Sequence, residues 1–371
     1  WVGAKWTALL FFVVAGGALG TSWYLFSEHL VLLDATYATV GILVMYTSMT
    51  YAGYSREEAS RRQTRDAFSK YLSPDMVERV AGDPGALKLG GDQRDMTLLF
   101  CDVRGFTTIS EQFDAVGLTA LINKLLTPLT NVILERRGTI DKYMGDCIMA
   151  FWNAPLDDDD QEYNGCVSAL AMLGEMEPLN ARLEIEAVEE GRKHIPLKVG
   201  LGLNTGPCVV GNMGSDMRFD YSVLGDAVNL AARLEGQSKS YGMNVVLGPN
   251  TRNAVKERLA TIDLDFIQVK GKTSGTMIYG LMGDEEVLAD PKFQYLQKLI
   301  FDAMEMYRAQ QWDQAQEMFD EIRDLGSDEK KPWKLEVNLH ILCDLYDERI
   351  TLYREAPPPA DWNGVFIATS K

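Results

Sequence analysis

The chain is short of most of the residues from which metal fingers and nucleophilic triads are built. Its 371 residues include three histidines, which are scattered and form no metal or nucleophile constellation. Five cysteines (Cys101, Cys147, Cys166, Cys208, Cys343) show no CxxC or finger spacing. They sit mostly inside apolar runs, the usual setting of buried thiols in a reducing compartment. Positive charge is also scarce. With 36 Lys and Arg against 53 Asp and Glu the formal net charge is −17, which does not suggest nucleic-acid binding. Net acidity does not bar an anionic substrate, whose charge is met by local metal and Lys/Arg. The length fits two or three domains.

Long apolar runs open the chain. Trp6–Phe26 and Leu30–Tyr51 each match the ~20 apolar residues of a spanning helix, with Glu28, His29 and Asp34 the only charges in or between them. Trp6, Trp23, Tyr24, Tyr46 and Tyr51 lie near the ends, where amphipathic aromatics favour the interface. Two full spans are not a secretory signal. The arginines of SREEASRRQTR place the following segment in the cytoplasm. The expected arrangement is a multi-pass hairpin in the inner (cell) membrane over residues 1–54, with both ends inside. The chain begins at Trp1 rather than Met, and residues before it are expected to be missing. Residues 55–93 read as a cytoplasmic linker: a charged helical stretch Ser55–Tyr71, a short helix in YLSPDMVERV, and a Gly/Pro-rich spacer from Pro84 to Gly91. The stretch Ser55–Tyr71 suits either a transmitting helix or a solvated spacer.

From Asp95 strands and helices alternate. RDMTLLFCDVRGFT reads as a buried strand ending at Asp102-Val103, an Arg104-Gly105 turn, and a helix start at Phe106. GTIDKYMGDCIMAFW reads as two short strands, Thr139–Lys142 and Cys147–Trp152, joined at Met144-Gly145 with Asp146 at the exit. Two carboxylates on adjacent tight turns, beside a helix N-terminus, are what a triphosphate with divalent metal needs. Each Asp alone is better served by a plainer role, one as a helix cap and the other as a turn residue. A helix is expected over Ala115–Arg137 and another around Cys166–Leu173, with the run Asp157–Asp160 as favourable N-terminal charge. Leu197–Thr205 and Val209–Asn212 read as a second hairpin broken by Gly206-Pro207. A strand Phe219–Leu224, a helix Asp226–Lys239 and closing strands Leu264–Val269 and Met277–Leu281 follow. The class is α+β, with helices on one face of a mainly antiparallel sheet. The tail, residues 286–371, is helical, and FDAMEMYRAQQWDQAQEMFDEI has the spacing of one TPR-like helical hairpin. One such unit cannot bury its own face.

FCDVRGFT, IDKYMGDCIMAFW, LGLNTGPCVVGNMGS and DYSVLGDAVNLAARLE, in this order and spacing, resemble the catalytic domain of the class III nucleotidyl cyclases. The resemblance covers roughly residues 94–285. It implies a ferredoxin-like βαββαβ core, a homodimer with active sites at the interface, and two divalent metal ions (Mg2+ or Mn2+). YLSPDMVERV and the linker resemble what precedes this domain in bacterial membrane cyclases. The paired spans resemble the region after a CHASE2 sensor, although no CHASE2 sequence is present in this chain.

Carried over residue by residue, the resemblance makes Asp102 and Asp146 the metal-binding pair, with the Val103 carbonyl assisting. The backbone of Gly105, Phe106 and Thr107 would receive phosphates. Lys142 and Ser222 match the purine-selecting pair. A Lys donates to adenine N1 and a hydroxyl accepts from the 6-amino group, whereas guanine needs an acidic group where Lys142 stands. Asp or Thr is frequent where this chain has Ser222. Asn229 and Arg233, one helical turn apart, match the ribose-orienting Asn and the Arg that stabilises charge at phosphorus. Lys270 matches a lysine that meets the terminal phosphates, while Lys272 reads as solvated and Arg104 as structural. The expected function is a membrane-anchored adenylyl cyclase acting on ATP. The alternatives are a guanylyl cyclase, or a catalytically dead cyclase-fold module for dimerisation and sensing. A diguanylate cyclase is disfavoured because no GG[DE]EF is present.

Overall fold

The computed structural model describes residues 4–31, 34, 36–68, 90–215, 217–268, 275–327, 330–359 and 362–367. It divides into two compact units, Trp1–Ala86 and Leu87–Lys371. The helix expected in YLSPDMVERV and most of the spacer after Pro84 lie outside the described residues.

In the first unit, helix α1 (Ala4–His29) and helix α2 (Thr36–Phe68) contact one another. At ~1.5 Å per residue α1 is about 39 Å long, enough to cross a hydrocarbon layer. Phe12, Val13, Leu19, Trp23 and Phe26 on α1 are exposed, as are Val40, Leu43, Val44, Met45 and Met49 on α2. The second apolar segment and the charged stretch after it form one continuous helix, so no break separates Tyr51 from Ser55.

Among the described residues, the second unit is built on a nine-stranded mixed sheet. Strand β1 (Gly90–Val103) is followed by a short helix α3 (Phe106–Ser110), helix α4 (Ala115–Glu135), strands β2 (Thr139–Met144) and β3 (Cys147–Trp152), helix α5 (Gln161–Glu189) and strand β4 (Val199–Ser215). This βαββαβ run orders its strands β2-β3-β1-β4, the split-βαβ arrangement of ferredoxin-like folds. Gly90 and Gly91, read from sequence as linker, belong to β1 and pair with Asn212 and Gly211.

β1 is buried on both faces. Leu99, Cys101 and Val103 pack with α4 and α5, through Leu121, Leu125, Leu129, Cys166 and Met172. Met96, Leu98 and Phe100 turn the other way, toward Ala227 and Ala231 of helix α6 (Asp226–Ser240). Helices therefore cover both faces of the sheet, which corrects the one-face expectation: strand alternation puts apolar side chains on both sides, and each side needs a cover. α4 has the length and apolar composition to cross a membrane, but its leucines are part of this core.

The second correction concerns Gly206-Pro207. β4 runs unbroken through it, and the hairpin is made with strand β5 (Arg218–Leu224) instead. On its side away from β1, β4 pairs with strand β6 (Val245–Leu247) over Leu201–Leu203 and with β5 over Val209–Ser215. Pro207 falls in the gap, where its missing N–H leaves no bond to either neighbour unmade. The acids Asp157–Asp160 are held by ion pairs more than by the start of α5. Asp157 pairs with Arg94 at 2.6 Å and Asp160 with Arg258 at 2.7 Å, and the Asp160 side chain does not cap the helix.

After helix α7 (Pro249–Val255), strands β7 (Ala260–Gln268) and β8 (Thr276–Gly283) extend the sheet. Over it lie helices α9 (Pro291–Arg308) and α10 (Trp312–Ser327), which form a helical hairpin, and α11 (Leu339–Glu355); the intervening turn is α8 (Glu285–Ala289). Phe293, Leu296, Ile300, Phe319, Tyr346 and Ile350 are buried with Val246, Ile262, Leu264 and Ile278 of the sheet. Each such large side chain is worth ~1.5–3 kcal/mol of apolar transfer, so the tail and the sheet share one core. Its polar centre is Asp265, 1% exposed. It accepts from Arg349 at 2.7 Å, from the hydroxyls of Tyr241 and Tyr346 at 2.5 and 3.2 Å, and from the Phe266 N–H at 2.7 Å. Tyr241 caps the C-terminus of α6, so this network joins α6, β7 and α11. Arg349→Met should destabilise the protein by about 3–5 kcal/mol, because it strands a buried carboxylate, and Asp265→Ala added to it should restore part of that loss. Urea unfolding of the two variants checks this; equal stability of Arg349→Met and wild type would refute the reading.

Candidate active site

Asp102 ends β1, and Asp146 sits in the two-residue Gly145-Asp146 turn between β2 and β3, where Gly145 has φ 69°. Because β1 and β3 are sheet neighbours, their ends bring the two carboxyls together. They are close enough to share a hydrogen bond, and burial together with the Asp102 charge pushes the Asp146 carboxyl up to about 6. Asp102 Oδ1 accepts from the Val103 N–H at 3.1 Å. Gly105, at φ 70°, turns the chain into α3, so the N–H groups of Phe106 and Thr107 stand in a first turn, where a helix supplies them no acceptor.

A third carboxyl lies behind this pair and was not read from the sequence. Glu235, on α6, is pushed up to about 7 by burial and by the nearby Asp102 and Asp146 charges, against the pull of Arg104. It reaches this position because α6 lies directly on β4. A Cβ at Gly202 would collide with the backbone of Ala231 and Glu235, and one at Gly200 would come within 3.0 Å of Glu235 Oε1. The signal was the Gly200-x-Gly202 pair, which becomes informative only once its facing helix is known. Arg104 is turned inward, donating to the Met243 carbonyl and to Ser238 Oγ at 3.3 Å.

The base-reading candidates are gathered as well. Lys142 Nζ lies 3.2 Å from Asp141 Oδ1, and the Ser222 hydroxyl donates to Asp141 Oδ2 at 2.8 Å. Asp141, between them, was also missed. It occupies an irregularity in the β2–β3 ladder, where Ile140 pairs with Ala150 and Lys142 with Met149. Asn229 is exposed and Arg233 half-buried, one turn apart on α6, and among the described residues neither side chain makes a hydrogen bond or ion pair. No such bond links them to Asp102 or Asp146. Lys270 and Lys272 lie outside the described residues.

A family model described as "Adenylate and Guanylate cyclase catalytic domain" matches residues 91–283, a little over half of the chain. The chain belongs to that family. The chain is 32% identical over 228 residues to an adenylate cyclase of Anabaena cylindrica, covering 59% of this chain and 43% of that protein. Adenylate cyclase 1 of Rhizobium meliloti is 31% identical over 235 residues, covering 62% and 34%. The chain thus spans less than half the length of these curated relatives. Among solved structures, a bacterial light-regulated adenylyl cyclase superposes with TM-score 0.53 at 23% identity, over 62% of this chain and 64% of that one, and shares the fold.

Whether the cyclase domain suits a divalent metal can be tested on its own residues. Asp102 and Asp146 form an all-oxygen donor pair whose mutual repulsion and burial have no cation to offset them, which fits a hard cation. Among the described residues no cluster of three or more His, Cys, Asp or Glu completes a protein cage. Remaining ligands would come from backbone, water and substrate phosphates. The raised carboxyls also fix a sign. A carboxyl with folded pKa above its unfolded value favours the fold at low pH and loses that contribution as pH rises from about 4 through about 6 for Asp146. In chelator, wild type should therefore lose stability relative to Asp146→Asn across that window, and Mg2+ or Mn2+ should stabilise wild type more at pH 7 than at pH 5. Unfolding midpoints against pH measure both; a flat difference would remove the strain from this pair.

Proposed function

We propose that the chain is a membrane-anchored adenylyl cyclase, converting ATP to 3′,5′-cyclic AMP and pyrophosphate at sites shared between two copies. The observation that carries the choice of base is the meeting of Lys142 and Ser222 at one carboxylate. Lys142 donates to adenine N1, and the Ser222 hydroxyl accepts from the 6-amino group. Guanine, with a proton at N1 and an acceptor at O6, inverts both pairings and leaves them unmade. The two adenylate cyclases that resemble the chain support the same reading.

In the reaction the ribose 3′-hydroxyl gives up its proton to solvent as its oxygen attacks the α-phosphorus, the bond to the bridging oxygen breaks, and pyrophosphate leaves with the electron pair. Two divalent ions held by Asp102 and Asp146, with the Val103 carbonyl, would acidify the 3′-hydroxyl and neutralise the departing phosphates. Gly105, Phe106 and Thr107 receive phosphate oxygens on their backbone, and Lys270 meets the terminal phosphates. Asn229 orients the ribose, and Arg233 meets the charge that develops at phosphorus. Among the described residues the side chains of Asn229 and Arg233 bond to nothing in their own chain, which supports their completing a site with the metal pair of a second copy in a closed dimer. The exposed apolar side chains of α1 and the first half of α2 support an inner-membrane hairpin. The unbroken run of α2 would carry the chain into the cytoplasm, where the cyclase domain works.

Purified protein should make cyclic AMP from ATP in Mg2+ or Mn2+ and little cyclic GMP from GTP. Asp102→Asn or Asp146→Asn should lower turnover at least roughly a hundredfold without unfolding the chain; near-normal turnover in either would sink the metal assignment. Lys142→Glu with Ser222→Cys should lower ATP use and raise GTP use relative to it. The shared site has its own test. Asp102→Ala and Asn229→Ala are each expected to be nearly inactive. Co-assembled, they should recover about a quarter of wild-type activity, because half the dimers are hybrids and each hybrid has one intact site. Demonstrably mixed dimers with no recovery would exclude a shared site.

A further inference from the structure

The residue that decides which base the pocket accepts need not touch the base. Strand neighbours ordinarily point to opposite faces, yet Asp141 and Lys142 approach to 3.2 Å, and the broken register at Ile140/Lys142 is what allows it. The Asp141 side chain is fully buried, whereas Lys142 remains half-exposed. One carboxylate oxygen, Oδ2, accepts the Ser222 proton at 2.8 Å; the other, Oδ1, is buried without a hydrogen bond and faces the Lys142 ammonium.

A serine hydroxyl has one proton and two lone pairs, and a free hydroxyl rotates to present whichever its ligand needs. Such a serine would serve adenine and guanine alike, accepting from the 6-amino group of one and donating to O6 of the other. A carboxylate accepts only, so Ser222 must spend its proton on Asp141 and has only lone pairs left to offer a base. We propose that Asp141 is a specificity-determining positioning residue: by fixing the Ser222 hydroxyl as an acceptor and anchoring Lys142 beside it, it makes the pocket select adenine and reject guanine. This rests on the adenylyl reading above and explains how a serine, a rotatable group, can discriminate at all. Adenine pairs with the fixed lone pair. Guanine O6 meets a second acceptor there and is repelled.

The test is equilibrium binding of 3′-deoxy-ATP and 3′-deoxy-GTP, which lack the attacking hydroxyl, to the full chain in Mg2+. Ser222→Ala should weaken 3′-deoxy-ATP about tenfold, the scale of one lost hydrogen bond, and leave 3′-deoxy-GTP unchanged or tighter. A hydroxyl free to rotate would lose affinity for both nucleotides, and that result overturns the proposal. Asp141→Ala with Ser222 in place should tighten 3′-deoxy-GTP relative to 3′-deoxy-ATP. The same substitution in a Ser222→Ala background should change that ratio less, because only the hold on Lys142 is then lost, whereas a merely structural Asp141 would change it equally in both backgrounds. If Asp141→Ala does not fold, the opposite responses of the two nucleotides to Ser222→Ala still decide. Wild-type protein that prefers 3′-deoxy-GTP, or binds neither, would overturn the adenylyl reading itself. A wild type that prefers 3′-deoxy-ATP and loses both ligands in Ser222→Ala fails this inference alone.

Discussion

The antiparallel pairing of β1 with β4 is the constraint from which the rest of the cyclase unit follows. It runs without interruption from Gly90↔Asn212 to Val103↔Val199. Its length fixes where β1 ends, and so where Asp102 stands relative to the β2–β3 turn. Because both faces of β1 are apolar, the ladder must be covered twice, by α4 and α5 on one side and α6 on the other. The second cover approaches as closely as glycine allows, at Gly200 and Gly202. That contact sets the height of α6 above the sheet, and with it the placing of Asn229, Arg233 and Glu235.

Charge is arranged in this unit by two opposite devices. Asp265 is buried but surrounded by an arginine, two hydroxyls and a backbone N–H, so its charge is fully met and the network acts as a joint. Asp102, Asp146 and Glu235 are crowded with Arg104 too little to offset them, and two of them are pushed upward in consequence. Uncompensated negative charge is costly to fold, and its usual justification is a ligand that brings the missing positive charge. The joint at Asp265 also makes the tail part of the catalytic unit, since Tyr241 stands where α6 ends and Arg349 comes from α11.

Legibility in the sequence followed the range of the physics involved. The strands around Asp102 and Asp146, the turn at Gly145, the i, i+4 placing of Asn229 and Arg233, and the helical hairpin around Trp312 are local patterns, written in periodicity and turn residues. Those patterns, taken together in order, sufficed to recognise the family. They failed where a residue answers to a distant partner. Pro207 reads as a breaker until β4 is seen to lack a neighbour there on its side away from β1, and Gly90-Gly91 reads as linker until Asn212 and Gly211 are seen to pair with it.

The sequence by itself determined which groups could do the chemistry: two carboxylates on tight turns, a lysine and a hydroxyl suited to adenine, an Asn and an Arg on one helical face. Tertiary structure decided which of them meet. Asp141 was an unremarked strand residue because alternation should send it away from Lys142; only a register irregularity, a property of two strands together, turns it back and sets it against Ser222 from a third. Glu235 was a helix carboxylate like any other until Gly200 and Gly202 let its helix sink onto the sheet. Both cases have the same physical reason. A hydrogen bond or a like-charge contact depends on distances of a few ångströms between segments far apart in the chain, and no local pattern encodes those distances.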